Sequence, residues 1–275
     1  MIRLAVALLL MTTAALAEDL KPTKDAGPYV PSPQSVVSDM LRFANVTDRD
    51  FLIDLGSGDG RIVRTAATVF GARGFGVEIK ENLVKEANEA AKKEGIADRV
   101  KFIKADLFKT DISQATIVTM YLLPDTVNLL KDKFLAELKP GTRIVSHDYP
   151  LNGWLPDDWR QMDLEEKVKI SGVTTTLIYL YVVPVNVAGK WHAKMPPAIS
   201  RQPGELTLKQ QQVTRISGTL RVDGKELALE DPKLRGDKLT FRLPGHKGEF
   251  SGTVKDRAIE GMLDGKTPWS ATLGG

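Results

Sequence analysis

The chain has 275 residues, of which 42% are hydrophobic, and its formal net charge is +3. This apolar content suits one full-sized domain and a smaller second one. No cysteine is present, which excludes disulfides, cysteine-based zinc sites and thiol nucleophiles. No run of basic residues is dense enough to grip a phosphate backbone, so the sequence predicts no nucleic-acid partner.

The first residues have the layout of a secretory signal peptide. Arg3 precedes an apolar stretch over residues 4–11, and Ala15 and Ala17 then supply an Ala-x-Ala cleavage site. The sequence thus predicts a signal peptide over residues 1–17 and an exported, periplasmic protein. An uncleaved N-terminal membrane anchor is the alternative, although the apolar stretch is shorter than the roughly 20 residues that span a bilayer.

A linker over residues 18–28 leads into a first domain, predicted over residues 29–184. Its most informative segment is LIDLGSGDGRI, residues 52–62, where a buried strand runs into a glycine-dense turn. The segment RIVRTAATVF, which begins within it, has apolar residues at helical spacing. Glycines let the chain reverse and let a ligand approach the backbone, so a small molecule is expected at this strand-turn-helix unit.

Two aspartates, Asp54 and Asp59, put negative charge into this turn, where a phosphate-binding loop would offer a cation or a bare nest of N–H groups. A cationic or hydroxyl-bearing ligand is therefore favoured, and S-adenosylmethionine carries an ammonium, a sulfonium and a ribose diol. The pattern resembles motif I of the seven-strand (class I) methyltransferases. An NAD-binding turn is the competing interpretation. The resemblance assigns the following residues to cofactor binding: Asp54, Gly56, Ser57, Gly58, Asp59 and Gly60.

Two further strands end in acids that should reach the same edge of the sheet. GFGVEI contains Glu78, where a parallel neighbour brings an acid to the ribose hydroxyls, and RVKFIKADLF contains Asp106 and Leu107. In methyltransferases the position of Asp106 lies near the adenine amino group. For each acid the alternative is a helix N-cap or a solvated turn, but acids on three successive strands indicate one ligand site.

The rest of the first domain continues to alternate strands and helices. ATIVTMYLLP is predicted as the fourth strand, DTVNLLKDKFLAEL as a helix and TRIVSHD as the fifth strand. A hairpin of EEKVKI, a turn at Ser171 and Gly172, and VTTTLIYLYVVP then closes the sheet. The predicted fold class is α/β: a Rossmann-like seven-strand methyltransferase sheet, mostly parallel, whose last strand lies antiparallel beside the fifth.

Six blocks in order resemble the small family of protein-lysine methyltransferases that includes mitochondrial enzymes acting on the adenine nucleotide translocase and on the c-ring protein of ATP synthase, with prokaryotic relatives. The blocks are VPSPQSVVSDML, DLGSGDGRIV, GVEI, ADLF, VTMYLLP and LKPGTRIVSHDYP. The resemblance implies methyl transfer to a protein lysine, and it places Tyr29, Pro31 and Ser32 over the cofactor. The signal peptide and the tail beyond residue 185 depart from the family, so the resemblance implies its reaction class and leaves the particular substrate of this chain open.

The segment YLLP, residues 121–124, ends the fourth strand and should lie where the methyl group is transferred. DNA and RNA amino-methylases carry an Asn/Asp-Pro-Pro-aromatic signature there, whereas this segment lacks the polar acceptor and suits the methylenes of a lysine stem. Tyr121 and Pro124 are therefore predicted at the acceptor site, and His147 and Asp148 are predicted to relay a proton or hold the amine. The alternatives are a packed strand end and a structural His-Asp pair.

Residues 185–204 are predicted as a linker and residues 205–275 as a small all-β C-terminal domain. Short alternating segments are separated there by turn pairs such as Asp223-Gly224 and Asp264-Gly265, which indicates a meander or a small barrel. No paired carboxylates, metal ligands or nucleophile triad occur in this part of the sequence. Its expected role is to bind a partner or to cap the enzyme.

Three functions from different classes are compatible with these patterns. The favoured one is an exported S-adenosylmethionine-dependent methyltransferase that acts on a lysine of a protein, including a membrane-associated one. The second is a methyltransferase for a small molecule, a lipid or another acceptor. The third is a non-catalytic binding protein that keeps the fold and uses its β-rich tail for recognition.

Overall fold

The computed structural model of the chain describes residues 29–274, which form two β-sheets with helices around the first. The predicted signal peptide, residues 1–17, and the linker over residues 18–28 lie outside the described residues. The elements of the first part are α1 (Gln34–Phe43), β1 (Phe51–Leu55), α2 (Arg61–Phe70), β2 (Arg73–Glu78), α3 (Glu81–Lys93), β3 (Val100–Lys104), β4 (Ile117–Met120), α4 (Pro124–Leu129), α5 (Lys131–Glu137), β5 (Arg143–His147), β6 (Asp158–Asp163), α6 (Glu165–Ser171) and β7 (Thr175–Val182). The elements of the second part are β8 (Gly189–Lys194), β9 (Gly204–Gln211), β10 (Arg215–Val222), β11 (Lys225–Ala228), β12 (Glu230–Arg235), β13 (Lys238–Arg242), β14 (Phe250–Lys255), β15 (Ala258–Leu263) and β16 (Thr267–Leu273).

The first sheet has seven strands in the order β3-β2-β1-β4-β5-β7-β6. β1 to β5 run parallel, whereas β7 is antiparallel to both β5 and β6. The predicted fold class is confirmed, including the antiparallel strand beside the fifth. Because parallel strands end at one edge, the carboxyl ends of β1 to β5 form the edge where such folds bind ligands.

Amphipathic helices cover both faces of this sheet. α1 buries Val36, Val37, Met40 and Leu41 against one face, and α5 buries Phe134 against the other. Each large apolar side chain contributes roughly 1.5–3 kcal/mol when it leaves water in this way. Within the described residues, no helix is long and apolar enough to cross a membrane.

Two predicted elements differ from the structure. The segment EEKVKI, predicted as a strand, forms the helix α6, and the first strand of the closing hairpin is β6. The predicted helix DTVNLLKDKFLAEL is divided into α4 and α5 at Leu130. β6 lies at the edge of the sheet with nearly all its side chains exposed, so its sequence has no apolar alternation to reveal it.

The second sheet is antiparallel and has nine strands in the order β11-β10-β9-β8-β16-β15-β14-β13-β12. Its ends approach each other because β12 lies against β10, so the sheet is nearly closed. The predicted small all-β C-terminal part, a meander or small barrel, is confirmed in this form. One boundary differs: β8 lies within the predicted linker over residues 185–204, and it pairs with β9 and β16.

Glycines in the middle of strands make room for a buried tryptophan in the second sheet. Gly252 and Gly261 face each other across β14 and β15, and the indole of Trp269 lies beside both. A Cβ on Gly261 would overlap with this indole and with the carbonyl oxygen of Ser251. Trp269 also packs edge-on against Phe241, so the glycines shape the core of the second sheet.

The two sheets meet at the edge opposite the ligand edge. Arg235 Nε lies 3.6 Å from Asp157 Oδ1, and Gly236 packs against Gly141 just before β5. Val213 lies between β9 and β10 with a φ of 66°, and it packs against the core of the first sheet. A β-branched residue is strained at positive φ, so the turn accepts strain where it contacts the first sheet.

Candidate active site

A cavity lies at the carboxyl ends of the parallel strands. Its lining includes every residue that the sequence predicts for cofactor binding except Gly60. These residues are Tyr29, Pro31, Asp54, Gly56, Ser57, Gly58, Asp59, Glu78, Asp106 and Leu107. Of the residues predicted for the acceptor site, Tyr121 lines the cavity, whereas Pro124, His147 and Asp148 lie outside its lining.

The glycine turn brings the backbone to the cavity. Gly56 and Gly58 have φ values of 79° and 52°, which residues with a Cβ rarely adopt. A Cβ on Gly56 would overlap with Leu122, and a Cβ on Gly58 would overlap with the ring of Tyr29. Gly60 instead precedes α2, where a Cβ would overlap with the packed core. Two of the glycines therefore shape the cavity, and the third is required for packing.

Asp54 is a buried carboxyl group with no basic partner among the described residues. The residue is 2% exposed, and its Oδ1 accepts a hydrogen bond of 2.7 Å from Thr119 Oγ1. Burial, with smaller contributions from the negative charges of Asp59 and Glu78, raises the pKa of Asp54 to about 7. A positively charged ligand group beside it would favour the ionised carboxylate.

The other two acids are fixed by backbone N–H groups and also line the cavity. Glu78 Oε2 accepts a hydrogen bond of 3.0 Å from the N–H of Gly58, and Oε1 accepts bonds of 2.8 and 2.9 Å from the N–H groups of Ile79 and Lys80. Asp106 Oδ1 accepts a bond of 2.9 Å from the N–H two residues further on. Backbone N–H groups thus hold both acids at the wall of the predicted site.

The charge of Asp59 is compensated, contrary to the sequence-based argument. Arg61 Nε lies 3.0 and 3.1 Å from the two Asp59 carboxylate oxygens, and a second guanidinium nitrogen lies 2.7 Å away. The same guanidinium donates a hydrogen bond of 2.8 Å to the carbonyl oxygen of Ser32. Of the two aspartates in the turn, Asp54 is therefore the one whose charge has no basic partner among the described residues. Arg61 holds the covering segment, residues Tyr29–Ser32, against the glycine turn.

A buried histidine lies behind Tyr121. The ring centroids of Tyr121 and His147 are 3.9 Å apart. His147 has no exposed surface, and burial lowers its pKa to about 4, so its imidazole is neutral at neutral pH. Its Nδ1 lies 2.9 Å from Ser32 Oγ, and its Nε2 lies 3.1 Å from Thr176 Oγ1. Both ring nitrogens therefore have hydroxyl partners inside the protein.

Asp148 is paired with a buried lysine. It follows β5 with a φ of 64°, and its Oδ1 accepts hydrogen bonds of 2.7 Å from Lys167 Nζ and 3.1 Å from the N–H of Leu177. Burial, followed by the charge of Asp148, raises the pKa of Tyr121, so the phenol keeps its proton. The predicted His147–Asp148 pair thus lies in a polar cluster beneath Tyr121, outside the cavity lining.

The lining also includes residues that the sequence analysis did not select, and those among them with a charged or aromatic side chain are Arg61, Lys80, Phe108 and Tyr149. Tyr149 could have been found, because it is an aromatic residue just beyond the end of a central strand. Lys80 also lies just beyond the end of a strand, two positions after Glu78, but a lysine there is a weaker indication of a site. Arg61 and Phe108 each follow an aspartate by two positions, but nothing in their own pattern distinguishes them from ordinary turn residues.

The cavity fits S-adenosylmethionine. Asp54 can face a cation, and the backbone at Gly56 and Gly58 can be approached closely. The Ser57 hydroxyl is buried without a hydrogen-bond partner among the described residues, so it can bond to a polar ligand group. With the strand order β3-β2-β1-β4-β5-β7-β6, this site defines an S-adenosylmethionine-dependent methyltransferase.

A protein-lysine N-methyltransferase from Saccharolobus islandicus is 43% identical to the chain over 158 residues, which cover 57% of this chain and 93% of that relative. The chain belongs to this protein-lysine N-methyltransferase family. A family model described as the ANTKMT methyltransferase domain matches residues 54–158 and ends before the second sheet.

Further relatives extend the comparison. The adenine nucleotide translocase lysine N-methyltransferase of Mus musculus is 38% identical over 105 residues, which cover 38% of this chain and 46% of that relative. A crystal structure described as an RNA methyltransferase from Salinibacter ruber, in complex with S-adenosyl-L-homocysteine, is 47% identical with a TM-score of 0.52. It covers 57% of this chain and 96% of that chain. The Salinibacter ruber structure holds S-adenosyl-L-homocysteine, the product of the cofactor, and the relatives' descriptions differ in the acceptor that they state.

Proposed function

We propose that the chain transfers a methyl group from S-adenosylmethionine to the ε-amine of a lysine in a protein. The observation that carries this proposal is the cavity wall formed by Tyr121, Leu122, Leu123 and Tyr149. Such apolar and aromatic side chains suit the methylene stem of a lysine, and an ammonium group can face an aromatic ring. The relatives described as lysine N-methyltransferases support the same acceptor.

An RNA base is the rival acceptor, because the relative from Salinibacter ruber is described as an RNA methyltransferase. The residues after β4 favour lysine. Amino-methylases of nucleobases hold the planar amine with an Asn or Asp at this position, whereas YLLP, residues 121–124, offers no side-chain amide or carboxylate. A nucleobase would therefore lack the polar group that orients its amine.

The chemical requirement on the acceptor side is a neutral amine. A free lysine has a pKa of about 10.4, and an apolar channel lowers that pKa because burial disfavours the charged form. S-adenosylmethionine, when bound, supplies the methyl group. Tyr121 remains a phenol, so its hydroxyl and ring can orient the amine but do not supply a phenolate base. The chain contributes mainly positioning and exclusion of water.

We also propose that the enzyme is exported and that its acceptor is a protein of the cell envelope, including one associated with the membrane. The support is Arg3, the apolar residues 4–11 and the Ala-x-Ala site before Glu18. The second sheet is proposed to bind a partner, because its contacts hold it at the edge of the first sheet opposite the cavity, where it leaves the cavity open. In this proposal the methyltransferase domain covers residues 29–184, and the second domain includes β8.

The test incubates the chain from Glu18 onward with S-adenosylmethionine labelled in its methyl group and an envelope extract of the host. We expect label in a protein band that protease removes and nuclease leaves intact. Acid hydrolysis of this band should yield methyl-lysine. Asp54→Ala, which removes the buried carboxyl of the cofactor site, is the inactive control, and the N-terminus found in a periplasmic fraction checks the export.

Each rival function has its own outcome in this experiment. Label that nuclease releases would identify RNA as the acceptor, and label in low-mass or lipid fractions would identify a small-molecule methyltransferase. Binding of S-adenosylhomocysteine without transfer to any fraction would support a non-catalytic binding protein. Any of these results, in place of methyl-lysine, would contradict the proposed acceptor.

A further inference from the structure

Ser32 is the point where the covering segment is attached to the rest of the site. The residue is 3% exposed, and its carbonyl oxygen accepts a hydrogen bond of 2.8 Å from Arg61 in the glycine turn. Its hydroxyl lies 2.9 Å from His147 Nδ1 at the end of β5. One buried serine therefore connects the segment over the cofactor cavity to two elements of the sheet edge.

His147 is placed to transmit this attachment to the acceptor wall. One edge of its ring contacts Ser32, another edge contacts Thr176 in β7, and its face packs on Tyr121. The carboxylate of Asp148 lies 3.7 Å from Nε2, and that carboxylate is itself bonded to Lys167. The imidazole is outside the cavity lining and has no exposed surface, so no acceptor amine reaches it.

We propose that His147 is a positioning residue. Its imidazole fixes the covering segment through Ser32 and supports the ring of Tyr121, so one side chain positions both the cover of the cofactor cavity and the acceptor wall. The cofactor half of this inference depends only on the cavity, and the acceptor half rests on the proposed function. In this proposal His147 positions its neighbours and does not relay a proton, although the sequence had predicted a relay.

The first experiment uses two variants that each remove one hydroxyl partner of the same imidazole. Ser32→Ala releases the covering segment, whereas Thr176→Val removes the partner on β7 and leaves the segment attached. Both should lower the melting temperature by a few degrees, roughly 2–4 °C, because each leaves a buried ring nitrogen without a partner. Only Ser32→Ala should weaken the binding of S-adenosylhomocysteine, measured by calorimetry, by roughly 3- to 10-fold.

The proposed attachment through Ser32 would be wrong if Ser32→Ala bound S-adenosylhomocysteine as tightly as the unaltered chain. It would also be wrong if Ser32→Ala and Thr176→Val lost the same affinity for it. In the first case the unaltered chain still binds the cofactor product, so the proposed function is untouched. Failure of the unaltered chain to bind S-adenosylhomocysteine would contradict the cofactor site itself. The two failures are therefore distinguished by the same titration.

The second experiment addresses the acceptor wall by comparing His147→Phe with His147→Ala in transfer to the labelled protein of the envelope extract. Phe keeps a ring behind Tyr121 and lacks both hydrogen bonds, so turnover should stay within roughly 10-fold of the unaltered chain. Ala removes the support of Tyr121 and should lower turnover further. A loss of roughly 100-fold or more with Phe, as expected for removal of a general base, would overturn the positioning role.

Discussion

The two sheets differ in what they bury. The first sheet buries charged and polar side chains such as Asp54, Glu78, His147 and Lys167, mostly at its ligand edge. In the second part of the chain, within the residues that the structure describes, Ser200 is the one buried polar residue, and the core consists of aliphatic and aromatic side chains. Burial of polar groups reduces stability unless they are paired, so the ligand edge gives up stability for chemistry.

Glycine shows the same difference between the sheets. At the ligand edge, Gly58 has a φ of 52° and lies under Tyr29, where the backbone borders the cavity. In the second sheet, Gly261 lies in the middle of β15, and its missing side chain is replaced by the indole of Trp269. Similar glycine patterns in the sequence therefore serve ligand access in one sheet and packing in the other.

The largest effect is expected from Asp54→Asn. If this variant lost stability but kept its affinity for the cofactor product, the contrast between the two sheets would fail. The change removes the charge that faces a cationic ligand, so affinity for S-adenosylhomocysteine, whose ammonium is retained, should fall roughly 100-fold by calorimetry. The matched control is Asp157→Asn, because burial also raises the pKa of Asp157, which lies at the opposite edge. Similar losses in the two variants would contradict a special role for Asp54.

The next effect is a pH dependence of stability without ligand. The pKa of Asp54 is about 7 in the folded protein and about 3.9 in the unfolded chain. A raised pKa stabilises the fold below the unfolded value, and this contribution is lost as the pH rises through 7. Between pH 5 and pH 8 the free energy of unfolding from urea titrations should fall by about 2 to 3 kcal/mol more in the unaltered chain than in Asp54→Asn. Equal pH dependence in both proteins would show that Asp54 is not responsible.

A third substitution tests the packing role of glycine in the second sheet. Gly261→Ala forces a methyl group into the Trp269 indole and the Ser251 carbonyl, so it should lower the free energy of unfolding by roughly 1–3 kcal/mol. Binding of S-adenosylhomocysteine should not change. Ser270→Ala, on the neighbouring strand, adds no atoms and serves as the control. A weaker ligand affinity in Gly261→Ala would show that the second sheet influences the cavity.

The smallest effect is expected at the contact between the sheets. Arg235 is largely exposed and its ion pair with Asp157 is 3.6 Å long, so Arg235→Ala should cost less than about 1 kcal/mol in urea titrations. A double-mutant cycle with Asp157→Asn isolates the pair from the packing of Gly236 and Val213. A coupling energy between Arg235 and Asp157 well above about 1 kcal/mol would mean that the ion pair, and not the apolar contact, holds the two sheets together.

The sequence was sufficient where structure depends on neighbours along the chain. The segment LIDLGSGDG predicted β1, the glycine turn and the place of Asp54 beside a cavity, because strand, turn and acid are contiguous. The alternation of strands and helices indicated an α/β sheet, and the resemblance to seven-strand methyltransferases implied the antiparallel strand beside the fifth, which the structure has. EEKVKI misled the prediction, because charged and apolar residues alternate over its last four positions, and so short an alternation suits a strand as well as a short helix.

The sequence was insufficient where contacts join distant residues. Ser32 and His147 are 115 positions apart, and nothing in either segment indicates that the imidazole faces the covering segment and not the cavity. The pairing of Asp59 with Arg61 is local, yet the sequence does not reveal that the guanidinium folds back to cancel the charge. Side-chain direction at a strand end is decided by packing, which a single sequence does not contain.

The pairing of β8 with β16 has a practical consequence. Trp191 in β8 lies opposite Leu273 in β16, so the first and last strands of the nine-stranded sheet are neighbours. A unit with neighbouring attachment points can be grafted into a loop of an unrelated scaffold, or have its ends relocated to another turn, with little disturbance to its hydrogen-bond ladder. The β-rich C-terminal part of this enzyme therefore has the neighbouring ends that insertion into another protein requires.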